Sequence, residues 1–215
     1  MVLRKLSGVF SIALVIGAAT IAMAGVPDLQ LSTASTAAGV GVTPVLYNLP
    51  NQLGNPFTQA RGAGGAVVDA TITLTVLDGG GVPVANFSAS DMWLEKEVVA
   101  GTGNFIACTG GTIANFNTNA AGQTQWAAAL RAGGWSTSKT LVVINGSPLT
   151  SNTGLVLRHN SADLNGDGAA NLSDIPLFAA DFYGSYAFRS DLQFDGVVNL
   201  SDIPKLAGGI GATCQ

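Results

Sequence analysis

Val68-Asp-Ala-Thr-Ile-Thr-Leu-Thr-Val76 alternates apolar and polar residues without a break. An extended chain turns successive side chains to opposite faces. Val68, Ala70, Ile72, Leu74 and Val76 therefore share one face, and Asp69, Thr71, Thr73 and Thr75 the other. This is the pattern of a half-buried strand, apolar inward and polar outward. Asp78-Gly79-Gly80-Gly81 then turns the chain, and Pro83 marks an edge or turn position. Upstream, residues 29–31 and 42–46 read as strands. Downstream, residues 92–99 form another, and Thr124, Trp126, Ala128 and Leu130 share one face of a further strand that ends at Gly133-Gly134. Residues 141–144 are apolar on both faces and run into Asn145-Gly146, a strong hairpin signal. Residues 155–157 close the series. About seven short strands separated by Gly, Asn and Pro turns predict an antiparallel β-sandwich over residues 25–158.

The composition points the same way. Of 215 residues, 47% are hydrophobic and only 10% charged, with 28 glycines. So few charges argue against a disordered chain. Abundant Gly, Thr and Val, with little Glu and Lys, favours strands and tight turns over long helices. The chain has 9 Lys plus Arg against 13 Asp plus Glu, a net charge of −4. An acidic chain with no Lys/Arg cluster is a poor binder of nucleic acid or anionic membrane, and neither is expected as a partner.

After His159 the alternation stops, and residues 159–215 contain one unit used twice. The first copy is Asp163-Leu-Asn165-Gly-Asp167-Gly168-Ala169-Ala-Asn171-Leu-Ser-Asp174, and the second is Asp191-Leu-Gln193-Phe-Asp195-Gly196-Val197-Val-Asn199-Leu-Ser-Asp202. Calcium is a hard cation that takes six to eight oxygen ligands at ~2.3–2.6 Å. A twelve-residue loop supplies them from side chains at positions 1, 3 and 5, a main-chain carbonyl at 7 and a carboxylate at 12. In the first loop these are Asp163, Asn165, Asp167, the carbonyl of Ala169, and Asp174. In the second they are Asp191, Gln193, Asp195, the carbonyl of Val197, and Asp202. Asn171 and Asn199, at position 9, act directly or through water. Gly168 and Gly196 fall at position 6, where the sharp turn calls for positive φ. Two calcium ions per chain are expected, the second loop binding more weakly because Gln193 is longer than Asn165 and must fold back.

Each loop lacks an entering helix, closes with Asp instead of Glu, and runs into a short helical segment opened by Asn-Leu-Ser-Asp-Ile-Pro. Paired loops of this kind resemble the dockerin module of cellulosome proteins, over about residues 161–211. The resemblance implies two calcium ions, a fold assembled by the metal, and a cohesin-like protein partner. Where family members carry small hydroxyl residues at loop positions 10 and 11, this chain has Leu172-Ser173 and Leu200-Ser201. Ahead of the module, Ile72-Thr-Leu-Thr-Val-Leu-Asp78-Gly-Gly-Gly-Val-Pro-Val84 and Asn117-Thr-Asn-Ala-Ala-Gly122-Gln-Thr-Gln-Trp126 resemble bacterial Ig-like domains of the invasin type. In the first helical segment Ser173 is a candidate cap, and Leu172, Ile175, Phe178, Ala179 and Phe182 fall at helical spacing. Tyr183, Tyr186 and Phe188 are expected to fill the core between the two units.

Residues 1–24 read as a cleaved export signal: Arg4 and Lys5, an apolar stretch, then Ala22-Met23-Ala24. Its removal takes Lys plus Arg from 9 to 7 against 13 acids, a net charge of −6. The expected product is secreted, extracellular or cell-surface, with no membrane insertion. In an oxidising compartment Cys108 and Cys214 are expected to form a disulfide, with free thiols or an intermolecular bridge as the alternatives.

No catalytic constellation is legible. His159 is the sole histidine, no G-x-S-x-G occurs, and Glu95 and Glu97 read as a solvated strand face flanking Lys96. The expectation is a non-enzymatic interaction protein. The alternatives are a self-assembling subunit of an extracellular filament or lattice, docking on copies of itself, and a carbohydrate-binding module using exposed Trp among Trp93, Trp126 and Trp135, of which Trp126 falls on an apolar strand face and reads as core.

Overall fold

A computed structural model describes residues 25–215; the expected export signal lies outside them. The strands are β1 (Thr33–Thr36), β2 (Val45–Asn48), β3 (Ala60–Arg61), β4 (Val67–Val68), β5 (Ile72–Thr75), β6 (Met92–Lys96), β7 (Ile106–Ala107), β8 (Gln123–Trp126), β9 (Ala132–Gly133), β10 (Thr140–Ile144), β11 (Ser147–Pro148) and β12 (Arg158–Ser161). Two short helices follow, α1 (Ile175–Phe182) and α2 (Ile203–Gly209). Among the described residues no helix is long and apolar enough to cross a membrane.

The alternating stretch keeps its faces but is not one strand: β4 ends at Val68, the Thr71 N–H donates to Asp69 Oδ1 and turns the chain, and β5 resumes at Ile72 in another sheet. Ala70, Ile72, Leu74 and Val76 are fully buried, while Thr73 is exposed. β5 lies between β1 and β8, both antiparallel to it, with Leu74 opposite Ala34 and Thr124. A second antiparallel sheet places β10 between β6 and β11, with Val142 opposite Leu94 and Ile144 opposite Met92. The inward side chains of both sheets meet in one core with Leu46, Phe57, Trp126 and Leu157. The chain is thus mainly β, in an arrangement compatible with a β-sandwich. Asn145-Gly146 makes the expected two-residue hairpin turn between β10 and β11, with φ of 49° and 81°.

Four further expectations need correction. Residues 29–31 form a turn instead of a strand, because Asp28 Oδ1 accepts from the N–H groups of Gln30 and Leu31 and curls the backbone. The strand through Trp126 stops there, and Ala128 is exposed, since Asn115 Oδ1 accepts from the Ala127 N–H and draws the chain off the sheet. Leu155 makes only an isolated bridge, and the last strand is β12, three residues later. The pairing is not wholly antiparallel, because β12 runs parallel to β2.

That parallel strand carries the chain from one core to another. β2 is buried on both faces. Leu46 belongs to the core shared by the two antiparallel sheets, whereas Tyr47 and Leu49 belong to a second core with Ala162, Leu164, Ala170, Phe178, Leu192, Leu206 and Ala212. The repeat unit therefore has no core wholly its own. His159, in β12, is fully buried between the Asn48 amide, 3.1 Å from Nδ1, and Thr140 Oγ1, 2.8 Å from Nε2. Thr140 donates to the Leu157 carbonyl, so Nε2 carries the proton and Nδ1 accepts from Asn48. Burial depresses the imidazole's pKa to about 3.

Candidate metal centre

The two loops, 28 residues apart, fold by the same hydrogen bonds. At position 1, Asp163 Oδ1 accepts from the N–H groups of Gly166 and Asp167, and Oδ2 from Gly168. In the second loop Asp191 Oδ1 accepts from Asp195 and Oδ2 from Gly196. At position 12, Asp174 accepts from the N–H groups of Asn165 and Asn171; Asp202 accepts from Leu192, Gln193 and Asn199. Gly168 and Gly196 take φ of 86° and 91°, the left-handed turn that an L side chain resists.

All six expected donors of the first loop join one network. Asn165 donates from Nδ2 to Asp167 Oδ2 at 2.8 Å, and Asn171 Nδ2 donates to the Ala169 carbonyl at 3.1 Å. The second loop differs: among the described residues Asn199 makes no bond matching that of Asn171 to position 7, Asp191 also accepts from the Tyr186 hydroxyl, and position 3 has a new partner. Gln193, one methylene longer, donates instead to the Ser201 carbonyl at 3.3 Å.

Position-1 and position-12 carboxylates are hidden from solvent: Asp163, Asp174 and Asp202 are 0% exposed and Asp191 is 1%. Among the described residues no Lys, Arg or His pairs with any of the four; the ion pair formed nearby joins Arg189 to Asp181. Burial pushes the Asp163 carboxyl above the usual carboxylate range, against the Gly168 N–H, and the charges of Asp174 and Asp167 push it further. Burial likewise raises Asp191; the Gly196 N–H and Tyr186 hydroxyl oppose this, while Asp202 adds to it.

Among the described residues no three His, Cys, Asp or Glu side chains converge as a ready-made cage. The donor set is instead mixed: carboxylates, side-chain amides and main-chain carbonyls, all oxygen. His159 is buried between Asn48 and Thr140, and both cysteines are in a disulfide. Hard oxygen donors with buried negative charge fit calcium and not a soft metal.

Several residues that sequence reasoning missed position the loops. Asn104 donates to the Leu164 carbonyl at 3.1 Å, and the Gly134 N–H donates to the Asp163 carbonyl at 2.9 Å. Asn160 donates to the Asp191 carbonyl at 3.1 Å, and Tyr186 donates its hydroxyl to Asp191 Oδ2 at 3.1 Å. Burial, followed by the Asp191 charge, raises the Tyr186 phenol to about 12. These partners come from outside the loops, so no loop spacing announces them.

Elsewhere the structure corrects the helical segments. Asp174, not Ser173, stands at the N-cap of α1, and Ser173 Oγ instead accepts from Asn165. Leu172 and Ile175 are exposed, as are Tyr183 and Tyr186. Tyr186 lines a cleft of about 530 Å³ with Gly64, Arg158, Phe188 and Phe194, so its ring lies at a surface and not between units. Phe178 and Phe182 do pack in the second core. Glu95 accepts from Trp93 Nε1 at 2.6 Å, and Trp126 is buried with its Nε1 bonded to the Thr112 carbonyl. The Cys108–Cys214 bond is formed, joining residues 106 apart in sequence. Compared with protein-family models, with curated proteins and with solved structures, the chain matches none of them.

Proposed function

We propose that this is a secreted, non-catalytic protein in which an Ig-like sandwich carries a dockerin-like module, and that the module binds two calcium ions and mediates calcium-dependent protein assembly outside the cell. One observation carries the reading. Two loops related by a 28-residue offset each bury two aspartates in the same hydrogen-bond scheme, with no cationic side chain paired to them among the described residues. A carboxylate buried without a cationic partner is costly to keep charged, and burial pushes the Asp163 and Asp191 carboxyls up in spite of the N–H groups they accept from. Backbone N–H groups offset part of that cost. A divalent cation in each loop removes most of the rest, and the oxygen-only donors select calcium.

The residues have separate tasks. Asp163 and Asp191 gather the N–H groups that curl each loop. Asp174 and Asp202 clamp the loop's end to its beginning and lead into α1 and α2. When bound, calcium would neutralise these carboxylates and hold the loops closed. Matched exposed residues, Leu172 and Ile175 in one unit and Leu200 and Ile203 in the other, give the module two equivalent apolar contacts for a partner. That partner is a cohesin-like domain or another copy of this chain.

Isothermal titration of the full chain should give two calcium ions per chain, with none bound tightly by the Asp163→Ala/Asp191→Ala double variant. An unsubstituted chain that binds no calcium would sink the reading.

A further inference from the structure

We infer that the first calcium loop is completed from outside its own repeat: segment 211–214, fastened by the Cys108–Cys214 bond, sets the Ala169 carbonyl, so that this bond tunes calcium affinity at the first loop and not at the second. The inference rests on the calcium reading above.

The geometry is a short antiparallel pairing. Cys214 N–H donates to the Gly168 carbonyl, Ala170 N–H donates to the Ala212 carbonyl, and Gly211 N–H donates to the Ala170 carbonyl, each at 2.8 Å. Ala169 lies opposite Thr213. Residues facing each other in such a pair alternate between exchanging hydrogen bonds and turning them away. Gly168 and Ala170 spend theirs on segment 211–214, so Ala169, between them, turns its carbonyl to the loop side, where Asn171 Nδ2 reaches it at 3.1 Å. Ala169 is the expected main-chain ligand at position 7.

The disulfide holds this strap in place. Cys214 packs over the turn at position 6, its Sγ 3.4 Å from where a Cβ of Gly168 would stand. Its partner Cys108 is buried just after β7, which pairs with β9, and its N–H donates to the Arg131 carbonyl. The position-7 backbone of loop one is thus tied through two covalent steps to the sandwich. The second loop is an internal control. Val197 is 56% exposed, nothing lies within 4 Å of a Cβ at Gly196, and among the described residues no backbone pairing spans Gly196, Val197 and Val198.

Without the bond, the strap frays and the loop must order itself as calcium binds. Fixing one residue's backbone costs about as much as a tenfold change in affinity. The test uses the full chain in two backgrounds, Asp191→Ala, in which only the first loop takes calcium, and Asp163→Ala, in which only the second does. Calcium is titrated into each with and without Cys108→Ser/Cys214→Ser. Tryptophan fluorescence checks the sandwich in every variant. Where the serine pair perturbs it, the comparison is repeated on TCEP-reduced chains that keep both cysteines. About tenfold weaker binding at the first loop, with less than twofold change at the second, is the expected result. Equal weakening of both loops, or none at the first, overturns the inference. If the unsubstituted oxidised chain takes up no calcium at all, the calcium reading itself fails, which that separate titration reveals.

Discussion

The Oδ2 atom of Asp163 occupies the space in which a Cβ of residue 133 would stand, so the first loop is moulded on the bare backbone of Gly133 in β9. The carboxylate has nowhere to retreat, because three N–H groups of its own loop hold it. Gly133→Ala should therefore act on the first loop, proposed above to bind calcium, although it lies 30 residues upstream. We expect a loss of ~1–3 kcal/mol from overpacking and a smaller calcium-induced rise in melting temperature. Gly208→Ala, in α2 with nothing within 4 Å, is the control and should be neutral or stabilising. Equal melting curves for Gly133→Ala and the parent would refute the moulding.

Tyr47 couples the sandwich to α2. Its hydroxyl donates to the Lys205 carbonyl at 2.8 Å, and Lys205 Nζ sits 4.6 Å from its ring centre while donating to Asn55. Tyr47→Phe keeps the ring and loses the hydrogen bond, for a cost of ~1 kcal/mol. Tyr47→Ala also empties part of the second core and should cost ~3–5 kcal/mol. In chelator, protease should then cut first within residues 161–215, and faster in Tyr47→Ala than in Tyr47→Phe. Identical digestion rates would mean that the second core does not depend on Tyr47.

The strands and loops were legible in the sequence to different depths. The run from Val68 to Val76 and the Asn145-Gly146 turn are local statements about side-chain alternation and positive φ; the turn holds, and the alternation of faces holds although residues 69–71 divide the run between two sheets. The paired twelve-residue loops could be aligned by eye, and their position-1 and position-12 aspartates do make equivalent hydrogen bonds, whereas Gln193 does not follow Asn165. Gly133, Asn104 and Tyr47 could not be tied to those loops, because each reaches them only through tertiary packing. The parallel pairing of β12 with β2 was hidden for the same reason. Exposure of Tyr183 and Tyr186 was misjudged because helical spacing places a residue on a face without saying whether that face is covered.

Acid should destabilise the sandwich through His159. The unfolded imidazole titrates near ~6.5, and the folded one near 3 because burial opposes its charge. Between these values the unfolded chain holds a proton that the folded chain refuses. The stability tied to neutral His159 is therefore complete above pH ~6.5 and is lost as pH falls toward 3. Asp163 and Asp191 work in the opposite direction in calcium-free protein. Their raised pKa values mean that protonation relieves the folded state as pH falls. Urea midpoints between pH 7.5 and 4 should accordingly fall less steeply in His159→Gln than in the parent, once both are corrected to pH 7.5. Parallel curves would assign the acid sensitivity to other groups.

Leu172 and Leu200 stand at the same position of the two loops and are 73% and 71% exposed. Neither belongs to a core, so replacing them with serine should change stability by less than ~0.5 kcal/mol. Any larger consequence must then arise from a surface they share with a partner. If assembly is calcium-dependent and uses both equivalent contacts, Leu172→Ser or Leu200→Ser alone should weaken it and the double variant should abolish it, with both calcium ions still bound. Sedimentation velocity in calcium, with chelator as the reference, reads self-association directly. Retention of native secreted proteins on immobilised chain, released by chelator, reads a heterologous partner. A double variant that assembles as well as the parent in both measurements would place the docking surface elsewhere on the molecule.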